Sequence, residues 1–570
     1  MDLLRTALRL LTLTAGAAAL AGCGPGEAPP EPADLVLLNG RIVTVDEGRP
    51  EVEALAARGD AIVALGTTAE VEAYVGDGTE VVDLGGRLAV PGFIEGHGHF
   101  LSLGDSRLQL DLRTARSWDE IVGVVRRAAA EASPGEWIRG RGWHQDKWDE
   151  VPEPNVEGFP LHDGLSAAAP DNPVLLTHAS GHALFANSKA MELAGIDAGT
   201  PDPEGGEILR DPRGRPTGLF RENAEELIDD AREDTAGEAE ERKKVQLASE
   251  ECLAKGVTSF QDAGSSFEKV EFLHRMAAEG VLGMRLWIMV REDPERLRSK
   301  LGEVREATRG DRRVTVGGIK ISLDGALGSR GAWLLEPYSD SPESTGLNTV
   351  SLEQVRETAA IAADHGVQLC IHAIGDRANR EVLDVYEETF AAHPEKTDLR
   401  WRIEHAQHLH PDDIPRFAEL GVIAAMQPVH CTSDGPWVPD RLGEKRSAEG
   451  AYVWRKLLDS GAVIVSGTDT PVEDVDPIAN FYAAVTRRMG NGEVFYGDQR
   501  MTRMEALRSM TLDAAYGVFE EEIKGSLAVG KLADVVVLSQ DILTVAEEDI
   551  PATEVDLTIV GGEVAYRRAS

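Results

Sequence analysis

Two histidines, His97 and His99, are separated by a single glycine in the segment PGFIEGHGHF, which continues an apolar run. Alternate side chains of an extended segment lie on the same face, so both imidazole rings could bind one metal ion. A histidine after a strand is also common as a purely structural residue. The pair therefore predicts a metal site on the condition that further ligands occur later in the chain.

Four more polar residues each end or follow an apolar, strand-like run. They are Lys320 in GGIKISLDG, His372 in LCIHAIGD, His405 in RIEHAQ and Asp469 in VSGTDTPVEDVDP. Each could also be structural: Lys320 could form an ion pair, and Asp469 could cap a helix before Pro471. If all these groups converge on one axis, their unpaired charge is costly, and a pair of divalent metals removes that cost.

Strand-like and helical segments alternate through most of the chain. Strand candidates such as MRLWIMV, GGIKISLDG, VQLCIHAIG and VIVSGTD are separated by helical stretches such as SLEQVRETAAIAADHG. This alternation favours parallel strands with crossover helices, and the number of units fits a closed (β/α)8 barrel of the TIM type better than an open sheet. Functional side chains of such barrels collect at the carboxyl ends of the strands, where the candidate ligands occur.

The two ends of the chain share short strands and glycine turns. LVLLNGRIVTV and DLTIVGGEVAY each predict a strand, a turn and a second strand. The sequence therefore predicts an α/β fold in which residues 34–90 and 518–570 form a small composite β-sandwich and residues 91–517 form the barrel. Residues 102–250 do not follow the barrel rhythm, and we expect them to form an insertion that covers the site.

The chain is strongly acidic, with a formal net charge of -40. This charge argues against nucleic acid and anionic membrane surfaces as partners, because both require clustered lysine and arginine. It favours a well-solvated surface, although attraction of a cationic substrate is an alternative reading. The partner that remains is a small molecule.

The first residues have the pattern of an export signal. Residues 1–22 combine Arg5 and Arg9 with an apolar run, and Leu-Ala-Gly precedes Cys23 as in the lipobox of bacterial lipoproteins. We expect lipidation of Cys23, an extended tether over residues 23–33, and an exported lipoprotein of the cell envelope, facing the periplasm or at the cell surface. The alternative is ordinary cleavage with Cys23 as a bystander. Membrane attachment is expected only through the lipid.

The three later cysteines, Cys252, Cys370 and Cys431, show no pairing pattern. Cys370 lies inside the apolar segment VQLCIHAIGD. The sequence predicts buried, inert thiols at these positions.

The ordered series of strand-end residues resembles that of the amidohydrolase superfamily of metal-dependent hydrolases. AVPGFIEGHGH is similar to the first-strand motif of that superfamily, and GSLAVGKLADVVVL to its C-terminal return into the sandwich. The resemblance runs from about residue 34 to the end of the chain. SGHALFANSKA, GLFRENA, KISLDGALGSRGAWL and HAIGDRAN are similar to the branch that contains N-substituted formamide deformylases.

The resemblance implies two divalent metal ions, with zinc as the expected metal. The implied ligands are His97, His99, Lys320, His372, His405 and Asp469. Lys320 would be carbamylated and bridge the ions, His372 and His405 would hold the second ion, and Asp469 would bind the first. In superfamily members with one metal, Lys320 would instead be a structural or substrate-binding group. Gly96 and Gly98 would leave room for backbone close to the ions.

The resemblance also implies the reaction. It predicts a metal-dependent hydrolase that cleaves a carbon–nitrogen bond, other than a peptide bond, in a small amide, N-formyl or cyclic amide substrate. Bound metal lowers the pKa of a water to about 7 and polarises the carbonyl. As the hydroxide attacks, Asp469 is the implied general base that accepts the proton and passes one to the leaving nitrogen.

Residues near the predicted strand ends are candidates for substrate contacts. They are Trp143, His182, Glu222, Asp324, Arg330 and His430. His182 is implied as a substrate or oxyanion contact. For Trp143, Glu222, Asp324 and Arg330, structural roles in the core, at a helix start or in loop ion pairs are equally open. Nearby, His408 and His410 are predicted to lie on the surface.

Two other functions stay open at this point. One is a mononuclear deaminase of the same superfamily, and the other is a non-catalytic solute-binding lipoprotein. Retention of Asp469 argues against the second, because a binding protein has little use for a general base beside a metal. The sequence does not identify the substrate or the oligomeric state, a homodimer included.

Overall fold

The computed structural model describes residues 30–231 and 237–569. The predicted signal peptide and the lipidation site Cys23 lie outside the described residues. Within those described ranges, no helix has both the length and the apolar character needed to cross a membrane.

Eight parallel strands form a nearly closed barrel. In chain order, strands β1 to β8 are Phe93–Gly98, Val257–Ser265, Arg285–Val290, Val314–Ser322, Gln368–Ala373, Arg402–His405, Ile423–Met426 and Ile464–Ser466. Each strand pairs with the next one in parallel. The predicted barrel is confirmed, and its parallel strands are buried on both faces, which explains their continuous apolar runs.

Backbone hydrogen bonds join β1 to the segment after β8 at the carboxyl end of the barrel. The N–H of Asp469 donates to the carbonyl of His97 at 2.8 Å, and the N–H of His99 donates to that of Thr470 at 2.7 Å. A Cβ on Gly96 would lie 2.5 Å from the carbonyl oxygen of Ser466. Gly96 therefore leaves room for the backbone of β8 next to β1, and its expected place close to metal ions stays a prediction.

Helices connect the barrel strands and cover the outside of the barrel. They are Phe100–Ser106, Glu238–Ala254, Phe267–Ala278, Pro294–Ala307, Leu352–His365, Asp376–Ala392, Ile414–Leu420, Pro428–Asp434, Val438–Leu442, Glu444–Gly450, Trp454–Ser460, Pro477–Thr486, Arg503–Ser509 and Leu512–Tyr516. The fourth of these begins after Asp293, whose side chain accepts the N–H of Arg296. It buries Leu297, Leu301 and Val304, whose spacing places them on the face toward the barrel.

Strands from both chain ends form two sheets beside the barrel. The four-stranded sheet has the order Ala61–Gly66, Ala54–Arg58, Leu35–Leu38, Glu80–Asp83, and the six-stranded sheet has the order Glu563–Arg567, Val555–Val560, Val535–Leu538, Leu88–Pro91, Arg41–Val43, Glu51–Val52. Leu35, Leu55, Val535 and Leu557 share one core between these sheets. The composite β-sandwich is confirmed, whereas the domain boundaries stay predictions.

A further six-stranded sheet lies between β1 and β2 in the chain. Its order is Gly206–Arg210, Pro216–Glu222, Ala183–Ala186, Val174–His178, Ile138–Trp143, Leu110–Asp111, and helices Trp118–Glu131, Asp163–Ala168 and Ser188–Leu193 belong to the same segment. It has its own core, which includes Trp118, Trp143 and Phe185. Loops of this segment bring His144 and His182 to the cavity at the barrel mouth.

Candidate metal centre

The candidate ligands predicted from the sequence converge at the carboxyl end of the barrel. His97 lies in β1 and His99 follows it, Lys320 lies in β4, His372 in β5, His405 in β6, and Asp469 follows β8. The ring centroids of His97 and His405 are 4.7 Å apart, and those of His372 and His405 are 4.4 Å apart. The order of the barrel strands therefore brings distant parts of the chain to one point.

Three of these side chains form the first group that could hold an ion. Oδ1 of Asp469 lies 3.1 Å from Nε2 of His99 and 3.5 Å from Nε2 of His97. Nε2 of His97 and Oδ1 of Asp469 are buried and have no hydrogen-bond partner among the described residues. Buried polar atoms normally have a hydrogen-bond partner. These two atoms lack one and lie close together, so they fit the coordination of a metal ion.

His405, His430 and Asp469 form a second group whose candidate ligand atoms all lie within 4.8 Å of one another. Nδ1 of His405 is 2.7 Å from Oε1 of Gln427, which leaves Nε2 for a ligand. Nε2 of His430 is buried without a hydrogen-bond partner among the described residues. The sequence assigned His430 to the substrate, but the geometry also brings it among the possible ligands.

His372 lies next to this group, and its own Nε2 is also buried and unpaired within the described part of the chain. The nearest carboxylate is that of Asp324, whose Oδ1 lies 3.5 Å from this nitrogen. The ring of His182 is 4.9 Å from the ring of His372, centroid to centroid. His372 therefore lies between the metal centre and the cavity wall formed by the insertion.

A buried Glu404–Arg402 pair orients His97, and sequence reasoning did not find it. Nδ1 of His97 hydrogen-bonds to Oε2 of Glu404, and Nε of Arg402 donates to Oε1 of Glu404 at 2.7 Å. Burial raises the pKa of Glu404, but Arg402 and His97 outweigh that effect and hold this pKa well below its usual range. The available signal was the two charged residues inside the apolar strand segment RIEH.

Glu95 is a second residue that the sequence analysis overlooked. Its carboxylate accepts the backbone N–H of Thr468 at 2.6 Å and the Thr468 hydroxyl at 2.8 Å. Burial raises the pKa of Glu95 to about 8. These bonds tie β1 to the end of β8, the two elements that carry His97 and Asp469.

Lys320 is only 3% exposed, and no carboxylate oxygen of the described residues lies within 4.0 Å of its Nζ. It lines a cavity together with His372 and Asp469. Burial lowers the pKa of Lys320 to about 8. A buried amine without an acidic partner is unusual, and this one faces the metal centre.

The backbone is held in the left-handed region at two of the candidate ligands. The φ angle is 75° at His405 and 57° at Asp469. Residues other than glycine adopt these angles at a cost of about 1–3 kcal/mol, so the surrounding structure must impose them. Such strain is concentrated at functional sites.

Two cavities meet at this centre. The arginine lobe has a volume of about 360 Å³ and is lined by Arg141, Arg291, Lys320, Glu222 and Glu225. The Trp437 lobe has a volume of about 60 Å³, and its wall includes His144, His178, Leu327, Ile374, Trp437 and Asp434. His182, His405 and Asp469 line both lobes. A molecule bound across the junction would contact Asp469 and reach into either lobe.

His182 and Glu222, two of the predicted substrate residues, are brought together. Nδ1 of His182 lies 2.7 Å from Oε2 of Glu222, and both residues line the arginine lobe. Burial lowers the pKa of His182, but the Glu222 carboxylate outweighs this effect and leaves that pKa raised. Their contact with substrate stays a prediction.

Three other predicted substrate residues do not line either lobe. Trp143 is fully buried in the insertion core, where its Nε1 donates to the carbonyl of Leu176 at 2.8 Å. Asp324 is fully buried and accepts the backbone N–H groups of Trp333, Ile374 and Gly375. Trp143 therefore packs in the core of the insertion. Asp324 joins three loop residues by hydrogen bonds to their backbone.

Arg330 and His408 also differ from expectation. Nη2 of Arg330 lies 2.9 Å from Oδ2 of Asp340, in a network that includes Arg441. Arg330 therefore supports the loop after β4 and does not line either lobe. The surface prediction for His408 is wrong, because this side chain is 2% exposed and both its ring nitrogens lack partners among the described residues.

A barrel with histidines, a buried lysine and an aspartate at the strand ends defines the class of metal-dependent hydrolases. The model of the family described as "Amidohydrolase family" matches residues 80–566. The chain belongs to this amidohydrolase family.

Relatives extend over nearly the whole chain. Protein LONG AFTER FAR-RED 3 of Arabidopsis thaliana is 34% identical, with 94% of this chain and 92% of that protein covered. N-substituted formamide deformylase of Arthrobacter pascens is 30% identical, with 94% and 98% covered. The crystal structure of an uncharacterized metal-dependent hydrolase from Pyrococcus horikoshii OT3 superimposes with a TM-score of 0.72 at 30% identity, covering 90% of this chain and 99% of that one.

Proposed function

We propose that this chain hydrolyses the carbon–nitrogen bond of a small amide, N-formyl or cyclic amide substrate. The observation that carries the proposal is the set of buried, unpaired ligand atoms on His97, His372, His430 and Asp469 at the junction of two cavities. Their donor types fit a divalent metal and leave space for a substrate beside it. The formamide deformylase relative supports a substrate with an N-formyl group.

Two divalent ions, with zinc as the expected metal, would be held by these residues. His97, His99 and Asp469 would hold one ion, and His405 with His372 or His430 would hold the other. When bound, the metals supply an activated water and polarise the substrate carbonyl.

Asp469 is suited to the role of general base. Burial raises its pKa, but the neighbouring His99, His97 and His405 outweigh that effect and leave this pKa well below its usual range. Asp469 is therefore ionised at neutral pH and can accept a proton at its carboxylate. Because it lines both lobes, it can pass that proton to the leaving nitrogen of a substrate in either orientation.

Lys320 is the proposed site of carbamylation. A neutral amine reacts with CO2, and burial in this cavity lowers the pKa of Lys320 to about 8, which increases the neutral fraction. The modified group has carboxylate-like oxygens and would serve as a bridging ligand. Lys320 lines the same cavity as His372, His405 and Asp469, which supports this role.

The test is a substrate series assayed with the metal-loaded enzyme. N-formyl amines, N-acyl amines and cyclic amides should be hydrolysed, with release of a carboxylate and an amine. Release of ammonia from an amino-substituted ring, without amide cleavage, would favour the mononuclear deaminase instead. Binding of these compounds without any turnover would favour the solute-binding alternative.

We also propose that the protein is an exported lipoprotein, on the support of the sequence around Cys23 alone. Labelling of expressing cells with a tagged fatty acid should mark the full-length protein but not its Cys23→Ser variant. Equal labelling of both would contradict the proposal.

A further inference from the structure

We infer that the substrate carries a carboxylate, which Arg141 and Arg291 bind in the arginine lobe beside the metal centre. The inference concerns recognition, and it rests on the proposed function only for the bond that is cut. It narrows the substrate class to anionic amides such as N-formyl or N-acyl amino acids.

Arg141 enters the lobe from the insertion. It lies in strand Ile138–Trp143, and its Nη2 donates only a long hydrogen bond, 3.4 Å, to the carbonyl of Ala179. Its Nε is buried without a partner among the described residues. No carboxylate of those residues lies within 4.0 Å of this guanidinium. Arg141 is half-buried, and a guanidinium with unused donors has the capacity to bind a carboxylate through two parallel hydrogen bonds.

Arg291 enters the same lobe from the barrel. It follows β3, and its Nη2 donates to the hydroxyl of Ser322 at 3.1 Å, two residues beyond Lys320. A Cβ on Gly264 would lie 2.9 Å from Nε of Arg291 and 3.6 Å from Cγ of Lys320, so this guanidinium lies beside the lysine. It also has no carboxylate within 4.0 Å among the described residues.

The absence of acidic partners for Arg141 and Arg291 is notable because acidic residues are abundant in this chain. The chain has 98 aspartate and glutamate residues against 58 lysine and arginine residues. Arg402 and Arg285, which are buried, have acidic partners in Glu404 and Asp534, whereas buried Arg487 donates to backbone carbonyls. Arg141 is half-buried and Arg291 is exposed, so both guanidinium groups are accessible to an anion, which would supply the acidic partner that they lack.

The acidic residues of the arginine lobe do not neutralise this pair. Glu222 is engaged by His182 at 2.7 Å. Burial and neighbouring carboxylates raise the pKa of Glu225 well above its usual range, which disfavours a negative charge on that side chain. Arg141 and Arg291 therefore lack an acidic partner among the described residues of this lobe, although the whole protein is acidic.

The shape of the site gives an orientation for the substrate. Asp469 and His405 line both lobes, so the bond to be cut lies at their junction. A carboxylate on the arginines places the rest of the molecule toward Leu327, Ile374 and Trp437 in the other lobe. This arrangement favours N-acyl amino acids with an apolar group.

The direct test compares N-formylphenylalanine with its neutral analogue N-formylphenylalaninamide. The wild type should have a kcat/KM for the acid at least about tenfold above that for the amide, because hydrogen bonds to charged groups contribute strongly. In Arg141→Gln and Arg291→Gln, this preference should fall at least about tenfold, mainly through KM. Arg141→Lys, which keeps the charge but loses the planar fork, should retain part of it.

The matched control is Arg116→Gln, which removes an arginine that is 63% exposed and paired with Asp149 in the same insertion. The preference of this variant for the acid over the amide should equal that of the wild type. A wild type that prefers the amide, or a preference that survives in both cavity variants, would overturn the inference.

A binding measurement separates this inference from the proposed reaction. If neither compound is hydrolysed, the proposed function is at fault, and calorimetry with 3-phenylpropanoate and 3-phenylpropanamide decides the recognition question. The holoenzyme should bind the acid at least about tenfold more tightly, and Arg141→Gln should remove the difference. Equal binding of both compounds, or a difference unchanged in the variant, would overturn the inference.

Discussion

The two ring nitrogens of the central histidines have different surroundings. Nδ1 of His97 contacts Glu404 and Nδ1 of His405 contacts Gln427, while the Nε2 atom of His97 faces other candidate ligands. A hydrogen bond at one nitrogen fixes the tautomer and the ring orientation, and it strengthens metal binding at the other. The residues behind the ligands therefore determine how well the site binds metal.

Substitution of Glu404 tests this support. Glu404→Gln removes the charge beside His97 while keeping the size of the side chain, and metal affinity or activity should fall about 10–100-fold. A competitive chelator titration measures the affinity. Glu388→Gln, at a surface residue paired with Arg356, is the control and should bind metal like the wild type. Unchanged affinity in the Glu404 variant would show that Glu404 does not support the site.

Lys320→Ala tests the bridging role. If Lys320 is the proposed bridging group, its loss should remove at least one of the two proposed metal ions and abolish activity. A short carboxylic acid added in solution should partly restore both, since it replaces the carboxylate-like oxygens. Metal analysis with and without the acid gives the result, and unchanged metal content would point to a mononuclear site.

His408 gives a prediction about pH, since burial lowers its pKa to about 3. Below about pH 6.5 the unfolded chain takes up a proton at this histidine that the folded chain excludes. The free energy of unfolding therefore decreases by about 1.4 kcal/mol per pH unit as the pH falls from about 6.5 toward 3. His408→Gln should show a smaller fall in Tm than the wild type between about pH 7 and about pH 5.

The neighbouring residue supplies the control for that experiment. His410 has a side chain that is 39% exposed, and His410→Gln should show the acid sensitivity of the wild type. If His408→Gln loses as much stability on acidification as the wild type, the account of this buried histidine is wrong.

Residues at strand ends could be predicted because both their types and their position after apolar runs are visible in the sequence. Lys320 and His405 are examples. Trp143 and Asp324 could not be placed, because their surroundings depend on loops that come from elsewhere in the chain. A tryptophan in a core and a tryptophan in a lid have the same local sequence pattern.

At the scale of elements, the junction of β1 and β8 determines the geometry of the candidate metal centre. Glu95, Thr468 and the backbone of His97 and Asp469 connect these strands. The close approach depends on Gly96, because any side chain at that position would contact the carbonyl of Ser466. A small shift here moves two candidate ligands relative to the others.

Gly96→Ala tests this junction. The added Cβ would lie 2.5 Å from the Ser466 oxygen, so β1 or β8 must move, and overpacking of this kind costs about 1–3 kcal/mol. We expect a lower Tm and weaker metal binding. Gly490→Ala is the control, because a Cβ there has no atom within 4 Å among those compared. Wild-type Tm and metal content in Gly96→Ala would contradict the account.

The insertion was predicted only as an element that covers the site. Its sheet pairs strands that are not consecutive, such as Ala183–Ala186 with Pro216–Glu222. Pairing of this kind depends on long-range packing, which local periodicity does not reveal. For that reason Arg141, which lies in this sheet, could not be assigned to the cavity from the sequence.

For the whole molecule, the barrel and the composite sandwich could both be predicted, because alternating strands and helices and paired glycine turns mark them clearly. Net charge gave no guide to the substrate. It favoured a solvated surface or a cationic ligand, whereas the arginine lobe favours an anion. Charge summed over a chain describes solubility, and a cavity has its own local charge.

The most direct test of the central claim is the divalent metal content of the purified protein, measured together with hydrolysis of an N-formyl substrate. The account predicts about two equivalents of metal per chain, loss of hydrolysis when a chelator removes them, and recovery when zinc is returned. Undiminished hydrolysis by protein that contains no divalent metal would contradict it.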